Sequence, residues 1–175
     1  MSRLFYTMLP SPFFTLGLAA TPKGLLSLVI AVRSEPGFVN QLKREYDAMP
    51  IRKDAFFEPM EKALSRYWAG EPVEFDMKLD LSDATPFQAE VWKALCKIPY
   101  GEARSYDWVA EKIGRLSAAR AVGHACGQNR MPIVIPCHRV IRKDGSLGGY
   151  TGGLRIKKRL LEIETGTRYT SQATR

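Results

Sequence analysis

Cys137 and His138 stand side by side after Pro136 in VIPCHRVIRKDGSLGGYTGG, residues 134–153, and the loop that follows them holds five glycines. Cysteine attacks as the thiolate. A free thiol of pKa ~8.5 is only slightly ionised at neutral pH, so a nucleophilic cysteine needs a base or a cation beside it. His138 and Arg139 are the adjacent candidates. Neighbours on an extended strand point to opposite faces, so His138 can serve Cys137 only where the chain turns or a water bridges the two. The apolar run MPIVI just upstream reads as a short strand that would carry Cys137 out of the core and expose it at its end. A buried structural thiol is the alternative that the residues alone leave open, because cysteine is among the most buried residue types.

The elements that must position this pair begin at Thr85, where TPFQ carries an N-cap threonine, a proline for the first helical position and a glutamine that completes a capping box. Phe87, Val91, Trp92 and Leu95 line one face of that helix, and Cys96 beside them reads as a small buried hydrophobe. Two further helices follow in quick succession. SYDWVAEKIG has Ser105 as a cap and Gly114 as a stop, and SAARAVGHACGQN has Ser117 as a possible cap, a stripe of Ala118, Ala121, Val122 and Ala125, and Gly127 as its end. Two short helices joined by a tight turn resemble a helix-turn-helix, whose second helix is presented to DNA. Built of alanine and glycine, that second helix offers few side chains to base edges but lets the backbone approach a duplex closely, with Arg120 the longest side chain in its first turn. A surface ion pair is the bland reading of Arg120, and a helix-surface position that of His124.

Upstream, LFYTM, FFTLGLAA and LLSLVIAV read as three short strands of a small antiparallel sheet, and Phe38 to Tyr46 and Met60 to Trp68 as helices. This lobe shows no catalytic constellation. AGEPVEFDMKLDLSDATP reads as the connection between lobes, with residues 1–84 as the first domain and 85–175 as the second. Residues 1–84 hold 10 Lys+Arg against 11 Asp+Glu, and residues 85–175 hold 16 against 7, so the net charge of +8 divides into −1 and +9. The second lobe has the electrostatic footprint of a polyanion binder. Three cysteines at spacings of neither a disulfide framework nor a zinc site, with only two histidines, predict neither disulfides nor a structural metal. No apolar run is long enough for a bilayer and no signal peptide is recognisable, which predicts a cytoplasmic protein.

PCHRV, preceded by Asn129 and Pro132 and followed by GGYTGG, resembles the active-site signature of the O6-alkylguanine-DNA alkyltransferases, the methylated-DNA:protein-cysteine methyltransferases. TPFQAEVW, IPYGEARSY, AARAVGHA, GQNRMPIVIPCHRVI, GGYTGG and LLEIETG stand in the family's order from residue 85 to about 166. The resemblance implies an α+β protein, with a ribonuclease-H-like N-terminal domain and a C-terminal winged-helix-like helix-turn-helix domain. It implies that Cys137 accepts the alkyl group of O6-alkylguanine in duplex DNA once and irreversibly, with His138 as its base through a water and Glu164 orienting the histidine. Asn129 would be the hinge that joins the recognition helix to the active-site strand, and Tyr106 would give a proton to the departing guanine. Pro132, Val140 (through its carbonyl), Tyr150 and Thr151 would form the pocket. Arg120 would enter the stack through the minor groove to hold the space of the extruded nucleotide, with Tyr106, Arg115 and Lys143 as further DNA contacts.

The resemblance implies no cofactor, and a monomer is expected. Some relatives hold zinc in the N-terminal lobe through cysteines and histidines, but residues 1–95 contain neither. Others carry an extra cysteine-rich regulatory domain, for which 175 residues leave no room. Two rival classes are a DNA binder without chemistry, which leaves the Cys, His, Glu and Tyr set unexplained, and a cysteine hydrolase, which has no need of Arg120 on a helix-turn-helix and would turn over repeatedly.

Overall fold

A computed structural model describes residues 3–169, which divide into two compact units between Asp83 and Ala84. In the first unit, β1 (Leu4–Pro10), β2 (Thr15–Thr21) and β3 (Gly24–Val29) pair antiparallel in succession, buried along nearly their whole length, with β2 and β3 joined by the turn at Thr21–Gly24. A fourth strand, β4 (Pro50–Arg52), pairs with β1 in parallel, so the order is β3-β2-β1-β4 and the sheet is mixed, not purely antiparallel. Three residues bearing one apolar side chain carry no alternation signal, which is why the sequence conceals β4.

Helix α1 (Glu35–Tyr46) starts at Ser34, whose hydroxyl accepts from the Gly37 amide, and buries Phe38 and Leu42. It packs close on β2: a Cβ at Gly17 would stand 2.7 Å from the Phe38 ring. Helix α2 (Glu58–Trp68) buries Met60, Leu64 and Tyr67. The stretch expected to be a polar connection is partly structural. Leu79 bridges to Leu25 in parallel, and Asp80 is buried, accepting hydrogen bonds from Thr21 and Ser82.

In the second unit, α3 (Pro86–Leu95) has the full capping box between Thr85 and Gln88 and buries Val91, Trp92 and Leu95. Cys96 caps its C-terminus and is exposed, not buried, because it lies one step past the apolar face. A two-residue strand β5 (Arg104–Ser105) leads straight into α4 (Tyr106–Lys112), capped by the Ser105 hydroxyl on the Trp108 amide. Then comes α5 (Ala119–Gly127), which starts at Ala118 with no side-chain cap, so Ser117 does not cap it, and Ala121 of the small-residue stripe faces solvent. The Trp92 indole donates to the Ala125 carbonyl at 2.9 Å, locking α3 against α5. β6 (Val140–Ile141) pairs in parallel with β5, and α6 (Leu154–Thr165) follows the glycine loop. Among the described residues no helix is long and apolar enough to cross a membrane, and no His/Cys/Asp/Glu group could hold a metal ion.

Candidate active site

The segment MPIVI is a turn, with a single bridge between Pro132 and Ile135, and not the strand its apolar run predicts. Asn129 organises it. Its side-chain oxygen accepts from the Met131 amide at 2.9 Å, and its NH2 group donates to the Ile135 carbonyl at 2.8 Å and to Cys137 Sγ at 3.1 Å. Ile133, at φ 75°, takes the left-handed conformation that the tight reversal demands. Cys137 to Arg139 then form one turn of 3-10 helix, so the adjacent side chains are not forced to opposite faces as in a strand. Cys137 is 5% exposed, which corrects the expectation of an exposed thiol at a strand end.

Behind the thiol lies a buried charge cluster. His138 Nε2 is 2.6 Å from Glu164 Oε1, and Arg139 binds the same carboxylate through Nε at 2.8 Å and Nη2 at 3.1 Å. The Gly101 amide adds a fourth contact at 3.2 Å, and Arg139 Nη1 donates to the Ile98 carbonyl at 2.6 Å. Burial alone would raise the Glu164 carboxyl, but hydrogen bonds and charge from His138 and Arg139 outweigh it and hold it at about 2. Burial pulls His138 below its ordinary value despite the carboxylate, so the imidazole is a neutral base poised at a fixed carboxylate. Cys137 is pushed up to about 11 by burial, against the opposing pull of the Asn129 hydrogen bond and the Lys157 charge. The thiol is therefore protonated at neutral pH and needs a base to react.

Lys157 is the functional candidate that sequence reasoning missed. Fully buried on α6, it donates to the carbonyls of Val140 at 2.5 Å, Gly149 at 3.3 Å and Leu147, and stands 6.0 Å from the Tyr106 ring centroid. Desolvation lowers its pKa to about 8. In RIKKRLLEIE a lysine reads as one more solvated charge; only its spacing of three from Leu160 places it on the apolar face.

A cleft of about 750 Å³ opens onto the thiol. Of the residues expected at the site, Cys137, Tyr106, Tyr150, Thr151, Arg120 and Lys143 line it, and Cys126, which is not among them, joins them. The Tyr106 ring lies between two glycines: a Cβ at Gly123 would come within 3.7 Å of it, and one at Gly148 would stand 2.7 Å from its hydroxyl. Burial and the neighbouring thiols raise Tyr106 to about 12, which keeps it a proton donor. Thr151 donates to the Gly127 carbonyl at 2.7 Å and ties the loop to α5, while the buried Tyr150 hydroxyl has no hydrogen-bond partner among the described residues. Arg120 is exposed and makes no ion pair among the described residues.

Three expected site residues stand elsewhere. Pro132 is half-buried in the turn and does not line the cleft. The Val140 side chain is buried away from the cleft, and its carbonyl is taken by Lys157. Arg115 lies over the Phe87 ring and pairs with Glu90 at 3.2 Å.

Residues 86–166 match the family model of the 6-O-methylguanine DNA methyltransferase DNA-binding domain. The chain is similar over 97% of its length, with 41% identity and a TM-score of 0.77, to the crystal structure of Mycobacterium tuberculosis O6-methylguanine methyltransferase, covering 96% of that chain. The same organism's OGT in complex with DNA is matched at 41% identity and TM-score 0.78 over 93% of both chains. A methylated-DNA–protein-cysteine methyltransferase of Methanosarcina barkeri is 43% identical over 162 residues, 92% of this chain and 97% of the relative. By this likeness over nearly its whole length, the chain belongs to the methylated-DNA–protein-cysteine methyltransferase family.

Proposed function

We propose that the chain repairs DNA by moving the alkyl group of O6-alkylguanine, in a nucleotide flipped out of the duplex, irreversibly onto Cys137. The observation that carries this reading is the acceptor's setting: of the two buried thiols in the cleft wall, Cys137 is the one with Asn129 donating to its sulfur and the His138–Glu164 pair next along the chain. His138 takes the thiol proton through a water. Its Nε2 is engaged by Glu164, so the proton goes to Nδ1, and the carboxylate stabilises the imidazolium. Sulfur attacks the alkyl carbon as its bond to O6 breaks, and Tyr106 protonates the departing guanine. The thioether product has no acidic proton and no ready leaving group, so each molecule reacts once.

Double-stranded DNA is the partner, entered from the minor groove. The net +9 of residues 85–175 supports this, as do the exposed Arg120 and Lys143 at the cleft and the DNA complex of the M. tuberculosis relative. Arg120 fills the gap left by the extruded nucleotide, and Arg115 contacts the backbone after exchanging Glu90 for phosphate. Pro132 serves the reaction through the turn that presents Cys137, and Val140 through its carbonyl bond to Lys157. A single copy in the cytoplasm suffices, since one chain holds every group the reaction uses. Incubation with duplex carrying O6-methylguanine should add one methyl group per protein, mapped by fragmentation to Cys137, in a burst with no steady state. Continued turnover, or methyl on another residue, would refute the reading.

A further inference from the structure

One cation at the cleft has no part in the scheme above. Arg142 lines the same wall as Tyr106, is exposed, and makes no ion pair among the described residues, although Arg104, Arg115, Arg139 and Arg159 of the same unit all do. Its place is fixed by register. In the β5–β6 ladder Arg104 faces Val140 and Ser105 faces Ile141, so the residues that directly follow the two paired strands are Tyr106, the first of α4, and Arg142. The backbone there is anchored. The Arg142 amide donates to the Ser146 carbonyl at 2.8 Å, its own carbonyl accepts from Gly145 at 3.0 Å, and Tyr169 donates to the Gly145 carbonyl at 2.7 Å. The nearest carboxylate in sequence, Asp144, accepts from both the amide and hydroxyl of Ser146.

We infer that Arg142 is a positioning residue for the transfer, acting through Tyr106: its charge stabilises the phenolate that remains when Tyr106 gives its proton to the departing guanine. This rests on the proposed role of Tyr106 as the donor. The need is physical. Burial and the two thiols, Cys126 and Cys137, all disfavour a phenolate, and Arg142 is the cation that opposes them. Lys157, 6.0 Å from the ring, is engaged by three carbonyls, and burial first, with a smaller opposition from Arg142, lowers its pKa to about 8. The proton returns to Tyr106 from solvent once guanine has left, so the step balances.

The test replaces tyrosine with 3,5-difluorotyrosine, which brings phenol ionisation into the range where the protein is folded, and follows Tyr106 by fluorine NMR, assigned with Tyr106→Phe. Arg142→Gln should raise the Tyr106 pKa by about one unit, and Arg142→Lys should restore it. Single-turnover transfer from the free base O6-benzylguanine should slow about tenfold in Arg142→Gln, a factor equal to one pKa unit. In a Tyr106→Phe background the same change should have no further effect. An unmoved Tyr106 titration, a slowing that persists without the tyrosine hydroxyl, or a slowing confined to duplex substrate would each overturn the assignment. The titration needs no transfer, so a protein that titrates as expected yet does not alkylate would sink the proposed activity instead.

Discussion

Asn129 reaches Cys137 Sγ with the same NH2 group that holds the Ile135 carbonyl, so the acceptor and the turn that presents it hang on one side chain. Asn129→Ala strands the buried Met131 amide, while the Ile135 carbonyl keeps its bond from the Cys137 amide. It should cost about 1–3 kcal/mol in urea denaturation and slow transfer as the thiol loses its donor. Asn129→Asp keeps the acceptor for Met131 but sets a carboxylate against the sulfur, and should slow transfer further. Wild-type stability in Asn129→Ala would show that the turn is held by other means.

Acid should destabilise the protein in two stages. His138 has a folded pKa below its unfolded value, so its contribution is present above about 6.5 and falls away as pH drops below that. Glu164, depressed from 4.5 to about 2, contributes above 4.5 and is lost between there and about 2. Urea midpoints taken from pH 8 to pH 3 should show both limbs, and Glu164→Gln should flatten the lower one. A lower limb unchanged in that variant would mean that other carboxylates carry it.

Gly148 has φ +66°, and any Cβ there would meet the Tyr106 hydroxyl. Gly148→Ala should cost about 1 kcal/mol in backbone strain and displace the phenol, slowing transfer from duplex and free base alike. Tyr106→Phe should slow transfer with the fold intact, and adding Gly148→Ala to it should matter less.

How far the site was legible in the sequence depends on what each residue type signals. The α3 capping box, the Ser105 cap and the strand pattern of β1 to β3 are local features, and they lie where the sequence placed them. Cys137 was identifiable but misplaced, because MPIVI has a strand's composition while Asn129, two residues upstream of it, decides for a turn by hydrogen bonds no periodicity encodes. Lys157 was invisible because a charged residue on an amphipathic helix reads as solvated. Its three carbonyl partners come from a separate segment, residues 140–149.

The other thiols separate by position. Cys96→Ala should leave both stability and transfer unchanged, since the side chain is exposed. Cys126→Ala should retain transfer at a packing cost of about 1 kcal/mol, because it is buried in the cleft wall. Loss of transfer in either, with the fold retained by circular dichroism, would place a required thiol outside Cys137.

Arg120→Ala should react almost normally with free O6-benzylguanine but slowly with an O6-methylguanine duplex at saturating DNA. Extrusion costs a few kcal/mol, and each ~1.4 kcal/mol left unoffset is a factor of ten. Equal slowing of both substrates would assign Arg120 to the active site or the fold.

Lys157 and Glu164 project from one buried face of α6, seven residues and about two turns apart. Each is costly to bury until it meets partners that lie between Gly101 and Gly149. Glu164 finds its partners in Gly101, His138 and Arg139, and Lys157 finds its own in the carbonyls of Val140, Leu147 and Gly149. In synthesis α6 emerges after every other element of the site, and until it seats, His138 lacks its carboxylate partner and the loop at the cleft lacks the lysine that gathers its carbonyls. The site is thus completed by the last helix of the chain's described residues.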